Sequence, residues 1–169
     1  IGAGTGETLL ELKKRGVASR IFGFDIVDIN SNKEKFDLFM IGNIENIESP
    51  FDRKGFDAII LADVLEHLVD PEQTIRKLIP CLKQGGSFYI SLPNIRNIKA
   101  LYQIFYKGSF KYTDSGIFDR THLRFYCKND MIQLVKLLDE LKVVKVESNL
   151  RHTSSIKTTI NKLTFGFFE

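Results

Sequence analysis

Tryptophan is missing from this 169-residue chain, and cysteine is represented only by Cys81 and Cys127. The two thiols form neither a CxxC pair nor a metal-ligand spacing, which excludes a disulfide-stapled secreted scaffold. A reducing cytoplasm is therefore the expected setting. No apolar run approaches the roughly 18 residues a membrane span needs, so no transmembrane segment is expected. Charge of one sign is in only slight surplus, with 24 Lys and Arg against 21 Asp and Glu. Internal repeats and low-complexity tracts are also lacking. What is present, 43% hydrophobic and 27% charged residues, is the composition of an ordinary globular chain long enough for one domain. Such a domain removes roughly 70% of its unfolded surface from water, so its core needs no covalent staples. Ile1 opens directly on a glycine cluster, with no initiator Met and no signal peptide ahead of it. That beginning reads as part of a longer protein.

Between the glycine and proline boundaries, helical and strand periods alternate, which predicts an α/β fold: a doubly wound, mostly parallel sheet with helices on both faces. Leu9, Leu10 and Leu12 predict a short helix stopping near Gly16. Ile21 to Phe24, about Leu38 to Ile41, and Phe56 to Ala62 read as strands, the last buried on both faces. Asp70-Pro71 marks a helix start, with Ile75, Leu78, Ile79 and Leu82 on one face and a stop at Gly85-Gly86. Ser87 to Leu92 reads as a strand closed by Pro93. Asn129 is expected to cap a helix carrying Ile132, Val135, Leu138 and Leu141, followed by a strand from Val143 to Val146. In the tail, Ile156, Ile160, Leu163 and Phe167 fall on helical spacing, although the Thr and Ile content also suits a strand.

In an open α/β sheet, ligands bind beyond the carboxyl ends of the strands, and the residues there form a set. Gly2, Gly4 and Gly6 within Ile1-Gly2-Ala3-Gly4-Thr5-Gly6 permit a tight turn and close approach of a ligand to the backbone. A dinucleotide fingerprint would place its third glycine at position 7, which is Glu7, beside the helix end where a pyrophosphate would lie. A cationic ligand tolerates that carboxylate; the alternative is that Glu7 simply suits a helix start. Asp25, at the end of the second predicted strand, can accept two hydrogen bonds from a ribose diol, or can act as a loop cap.

The run Phe56-Asp57-Ala58-Ile59-Ile60-Leu61-Ala62-Asp63-Val64-Leu65-Glu66-His67, continued to Pro71, resembles the class I S-adenosylmethionine-dependent methyltransferases, in their small-molecule branch with the pattern FDxIxxxDVLEHLxxP. Leu82 to Asn94 is similar to that family's LKPGGxxxxSxPN stretch, with Gln84 in place of the usual Pro, and Thr121 to Tyr126 reads THLRFY, which also recurs in some members. The resemblance covers about residues 1 to 150. It implies that Gly2, Ala3, Gly4 and Gly6 line the methionine end of S-adenosylmethionine, that Asp25 holds the ribose, and that Ile26 packs on the adenine. Asn43 and Ile44 follow the third strand, where the family usually has an Asp on the adenine amino group; the Asn43 carbonyl can accept the same bond. Ala62 and Asp63 are implied to approach the methionyl group. It further implies that the family's first and last strands fall outside this chain.

Asp63, Glu66 and His67 would share a helical face and, with His122, could offer four metal ligands, as in some related enzymes. A capping box between Asp63 and Glu66 explains the same spacing, and no metal is expected. The stretch 93–128 carries seven Lys or Arg against two Asp, with eight Phe or Tyr. It reads as a basic, aromatic, lid-like insertion in a single 1–169 domain, suited to an anionic or sugar-bearing small molecule. A surface patch and a membrane-surface contact are the alternatives; nucleic acid is not expected, because no binding motif accompanies the local basicity. For methyl transfer to an oxygen, His122 is the first candidate base and His67 the second. Arg120 and Arg124 are candidates to hold a phosphate or carboxylate, with Asn94 and Tyr126 as polar wall. Two other functions use the same sheet: a nicotinamide-dependent oxidoreductase, which Glu7 opposes, and a catalytically silent methyltransferase-like scaffold.

Overall fold

The computed structural model describes residues 1–29, 31–48, 50–51 and 55–148. The helix-or-strand reading of the tail, on Ile156 to Phe167, lies outside the described residues. Contacts divide the chain into two units, Ile1–Ser91 and Leu92–Glu169.

In the first unit, the opening turn runs into α1, Glu7–Lys14, which ends where Gly16 takes φ 70° and donates to the Lys13 carbonyl. β1 is Phe22–Asp25 and β2 is Leu38–Ile41, paired in parallel with Phe24 opposite Met40. β3, Phe56–Ala62, pairs in parallel with β4, Leu82–Ser91. The backbone of the opening residues lies between the two pairs. Ile1 N donates to Ile60 O at 3.0 Å, and Ala3 N donates to Phe24 O at 3.1 Å. The lateral order is therefore β2, β1, residues 1–3, β3, β4, with the order reversing at the opening segment. That reversal is the switch point at which α/β sheets open a crevice.

The core around this sheet is aromatic and aliphatic. Phe22 meets Phe56 edge to face at 5.2 Å, and Phe51 meets Phe56 at 5.1 Å. Phe24, Leu61, Leu65, Ile75 and Leu78 are fully buried, each worth about 1.5–3 kcal/mol in transfer from water.

Three expectations for this unit are corrected. The helix that starts at the Asp70 cap is α2, Pro71–Leu78, and it stops well before Gly85-Gly86. Pro80 has no N–H to continue the ladder, so Ile79–Cys81 tightens into a 3₁₀ turn and Leu82 joins β4. β3 is not buried on both faces, since Ile59 and Leu61 are buried while Ala58 and Ala62 are exposed. Its neighbour β4 is longer than Ser87 to Leu92. Phe56 pairs Leu82 and Ala58 pairs Ser87, so residues 83–86 bulge out, with Gly85 at φ 80°.

In the second unit, α3, Ile98–Leu101, continues into a π-helical segment, Tyr102–Tyr106. α4 is Lys128–Lys136. Its cap is Cys127 rather than Asn129. The Asp130 carboxylate accepts from the Cys127 amide at 2.8 Å, which satisfies a backbone donor that a later start would strand. The expected strand at Val143 to Val146 does not form. Val144 is 83% exposed, and the stretch has no regular secondary structure. Phe110 gathers Phe118 at 4.9 Å and Phe125 at 5.2 Å into a local aromatic cluster. Among the described residues no helix is long and apolar enough to cross a membrane.

Candidate functional site

A row of hydrogen bonds crosses the carboxyl ends of the strands in the first unit. Gly42 N donates to Asp25 O at 2.8 Å, Gly4 N to Asp25 Oδ2 at 2.7 Å, and Asp63 N to Ser91 O at 3.1 Å. The opening turn and the carboxylate at position 25 are thus joined directly. Val27 N donates to the other oxygen, Asp25 Oδ1, at 2.9 Å. The carboxylate is buried and fixed by two backbone donors, one per oxygen. A carboxylate offers about four lone-pair sites, so each oxygen keeps acceptor capacity for a hydroxyl.

The turn itself depends on its glycines. Gly2, Gly4 and Gly6 have φ of 64°, 52° and 78°, the left-handed region that side chains resist. A Cβ on Gly2 would stand 2.5 Å from Val64 Cγ2, whereas one on Gly4 would meet nothing within 4 Å. Gly2 therefore packs against the chain, and Gly4 borders open space. Ala3 is half-buried beside it. Ile26 is 64% exposed next to Asp25, an apolar surface available to a flat ring.

After β2, Asn43 Oδ1 accepts from Glu45 N at 2.9 Å, which closes a local turn, and Ile44 is buried in the core. Asn43 is thus held in place by its own loop, and Ile44 supports that loop from inside. The loop has a further anchor. Lys77 Nζ donates to the carbonyls of Ile44, Glu45 and Ile47 at 3.2, 2.8 and 3.1 Å. Nothing in the sequence separated this lysine from other basic residues in the last turn of a helix. Ser91 was missed likewise: its Oγ donates to Asp63 Oδ1 at 2.9 Å.

Ala62 and Asp63 are exposed at the end of β3. Asp63 does not form a capping box with Glu66. Leu65–His67 is a 3₁₀ turn without a side-chain cap, and the Asp63 carboxylate takes the Ser91 hydroxyl instead. Glu66 is fully buried, and a carboxylate oxygen of Glu66 lies within 4.8 Å of a ring nitrogen of His67. Burial, reinforced by the charge of Asp63, pushes the Glu66 carboxyl up from 4.5 to about 7, against its own backbone amide and His67.

In the second unit, Asn94 and Tyr126 are neighbours: Ile95 N donates to Tyr126 O at 2.9 Å, and Asn94 Oδ1 accepts from Arg96 N at 3.0 Å. Tyr126 is buried. The His122 ring is buried too, and its Nδ1 lies 3.0 Å from the Ile117 carbonyl. A carbonyl can only accept, so Nδ1 carries the proton and the neutral ring has its lone pair on Nε2. Arg120 is exposed and ion-paired with Asp114 at 2.6 Å, and Arg124 is exposed.

The pattern of the methyltransferase domain family matches residues 1–139. A ubiquinone/menaquinone biosynthesis C-methyltransferase of Idiomarina loihiensis is 29% identical over 99 residues, 53% of this chain and 39% of the relative. A mitochondrial ubiquinone biosynthesis O-methyltransferase of Dictyostelium discoideum is 31% identical over 110 residues, 56% of this chain and 34% of the relative. The chain thus spans well under half the length of these two relatives. Among solved structures, a SAM-dependent methyltransferase of Thermotoga maritima, described as a possible histamine N-methyltransferase, superposes with a TM-score of 0.58 at 20% identity, over 81% of this chain and 59% of its own. That last likeness is one of fold.

Proposed function

The chain belongs to the methyltransferase domain family, and from that premise we propose that it binds S-adenosylmethionine and transfers its methyl group to an oxygen of a small-molecule acceptor. The observation that carries the proposal is the 2.7 Å bond from Gly4 N to Asp25 Oδ2. It unites a left-handed glycine turn and a buried carboxylate at the point where the sheet order reverses.

The residues present fit the cofactor. Asp25 would hold the ribose hydroxyls, Ile26 and Asn43 the adenine, and Gly2 to Gly6 with Ala62 and Asp63 the amino-acid end; Ile44 holds the Asn43 loop from the core. S-adenosylmethionine, when bound, supplies a sulfonium-activated methyl carbon, which the acceptor oxygen takes as the carbon–sulfur bond breaks and its electron pair stays on sulfur. The chain's own part is positioning, which supplies most of the acceleration in such a displacement. The carboxylates of Asp25 and Asp63 also place negative charge where a cation is received.

An oxygen acceptor must lose its proton. His122, with Nδ1 committed to the Ile117 carbonyl, keeps a lone pair on Nε2 and is the base we assign; exposed His67 is the second candidate. The names of the two relatives divide between carbon and oxygen, and this histidine favours oxygen. Arg120 and Arg124, both exposed, are the candidates for an acceptor's anionic group, and Arg120 also pairs with Asp114. Asn94 and Tyr126 support that wall through their backbone bridge. We assign an anionic or sugar-bearing acceptor, and a cytoplasmic setting suited to two cysteines outside any disulfide.

Incubation with methyl-labelled S-adenosylmethionine and a panel of phenols, sugar phosphates and hydroxy acids tests this reading. Label on oxygen, reduced a hundredfold or more by His122→Ala at unchanged cofactor affinity, is expected. Label on carbon or nitrogen would overturn the oxygen assignment, and no labelled product with any acceptor would overturn the activity.

A further inference from the structure

The longest stretch without an acid in the second unit's insertion is 93–113, which carries Arg96, Lys99, Lys107 and Lys111 before Asp114 ends it. Five of its residues are aromatic: Tyr102, Phe105, Tyr106, Phe110 and Tyr112. An ordinary amphipathic helix would turn such rings inward. Here α3 and its π-helical continuation bury Ala100 and leave Phe105 92% and Tyr106 77% exposed, with Ile98 and Tyr102 also exposed. Phe105 is the most exposed large apolar side chain among the described residues.

The exposed rings are organised. Tyr102 and Tyr106 stack at 5.2 Å between centroids, and Lys107 Nζ lies 5.4 Å over the Tyr102 ring. Phe110 is partly exposed and anchors this surface to the aromatic cluster with Phe118 and Phe125. We propose that the exposed aromatic and lysine face of residues 98–112 docks on the surface of an anionic lipid bilayer. The chemistry selects that partner. Tyr rings suit the headgroup level, where one end is wet, while Phe105 and Ile98 reach the acyl boundary. Lysines on long stems keep their ammonium groups among phosphates, and each is worth about fivefold in partitioning to an anionic surface. Single-stranded nucleic acid would need several open ring faces for its bases, and here Tyr102 and Tyr106 already stack on each other with Lys107 over the Tyr102 ring. This inference stands apart from the methyltransferase reading, because it uses neither the crevice nor the cofactor.

Since the chain has no tryptophan, Phe105→Trp installs a sole reporter at the centre of the face. The 169-residue variant is titrated with vesicles of phosphatidylcholine alone and of phosphatidylcholine mixed equally with phosphatidylglycerol. A blue-shifted emission is expected on the mixed vesicles, with partitioning at least tenfold above that on neutral ones. Lys99→Glu with Lys107→Glu should abolish that preference, and Phe105→Ser with Tyr106→Ser should lower co-sedimentation at least tenfold at unchanged thermal midpoint. An unshifted emission, equal partitioning on the two vesicles, or unchanged binding of the lysine variant would overturn the proposal. So would sedimentation velocity showing that this face instead pairs two copies of the chain, with the serine variant monomeric.

Discussion

Asp63 takes a backbone φ of 53° and accepts a 2.9 Å hydrogen bond from Ser91 Oγ, so the ends of β3 and β4 are tied by a side chain on a strained residue. Asp is one of the few residues with a tolerable cost in the left-handed region, because its short polar side chain bonds locally. Asp63→Asn keeps both the conformation and an acceptor for Ser91. Asp63→Ala keeps neither. Chemical denaturation should find the alanine variant less stable than the asparagine one by about 1–2 kcal/mol; equal stabilities would remove the Ser91 bond from the account.

Gly2 and Gly4 share a positive φ and differ in their surroundings, which separates strain from collision. Gly4→Ala should cost about 1 kcal/mol, the conformational term alone. Gly2→Ala adds an overlap with Val64 Cγ2, whose methyl stands 2.5 Å from the new Cβ. Shortening the neighbour by Val64→Ala should recover part of that extra loss. A double-mutant cycle with no coupling between positions 2 and 64 would show that the turn relaxes away from Val64.

Glu66 gives stability a dependence on pH. Below 4.5 it is protonated whether folded or unfolded and contributes no penalty. Between 4.5 and about 7 the unfolded chain ionises first, because burial and Asp63 hold the folded carboxyl neutral, so stability falls as pH rises through this window and then levels off. Glu66→Gln stays neutral throughout, and its stability relative to the parent should grow across the window by at most about 3 kcal/mol. Parallel stability curves for the two proteins between pH 4 and 8 would contradict the shift.

Much of the fold was legible because its boundaries are local. β2 and β3 follow their apolar runs without a shift, and Asp70-Pro71 fixes the start of α2 through one side-chain bond. The failures arose where a partner decides. Val143 to Val146 has strand composition and no ladder among the described residues. Leu82 satisfies a helical period, and the parallel pairing opposite Phe56 claims it for a strand.

At the site, the meeting of Gly4 and Asp25 could be anticipated, since the spacing of a glycine turn and an acid at a strand end has one common geometric use. The supports were not legible. Lys77 reaches three carbonyls 30 to 33 residues away in sequence, and no periodicity encodes that reach. Asp63 and Glu66 carry the spacing of a capping box. The structure gives the first to Ser91 and buries the second, because residues 65–67 close only a 3₁₀ turn.

The central claim is that the carboxylate at position 25, pinned by Gly4 and Val27, grips the ribose of an adenosyl cofactor. Calorimetric titration with S-adenosylhomocysteine tests it most directly, on the parent chain and on Asp25→Ala, with folding of the variant checked by circular dichroism. Saturable micromolar binding is predicted for the parent and a loss of about thirtyfold in the variant, the equivalent of about 2 kcal/mol of charge-assisted hydrogen bonding. A parent chain that takes up no S-adenosylhomocysteine, or a folded variant with undiminished affinity, would contradict it.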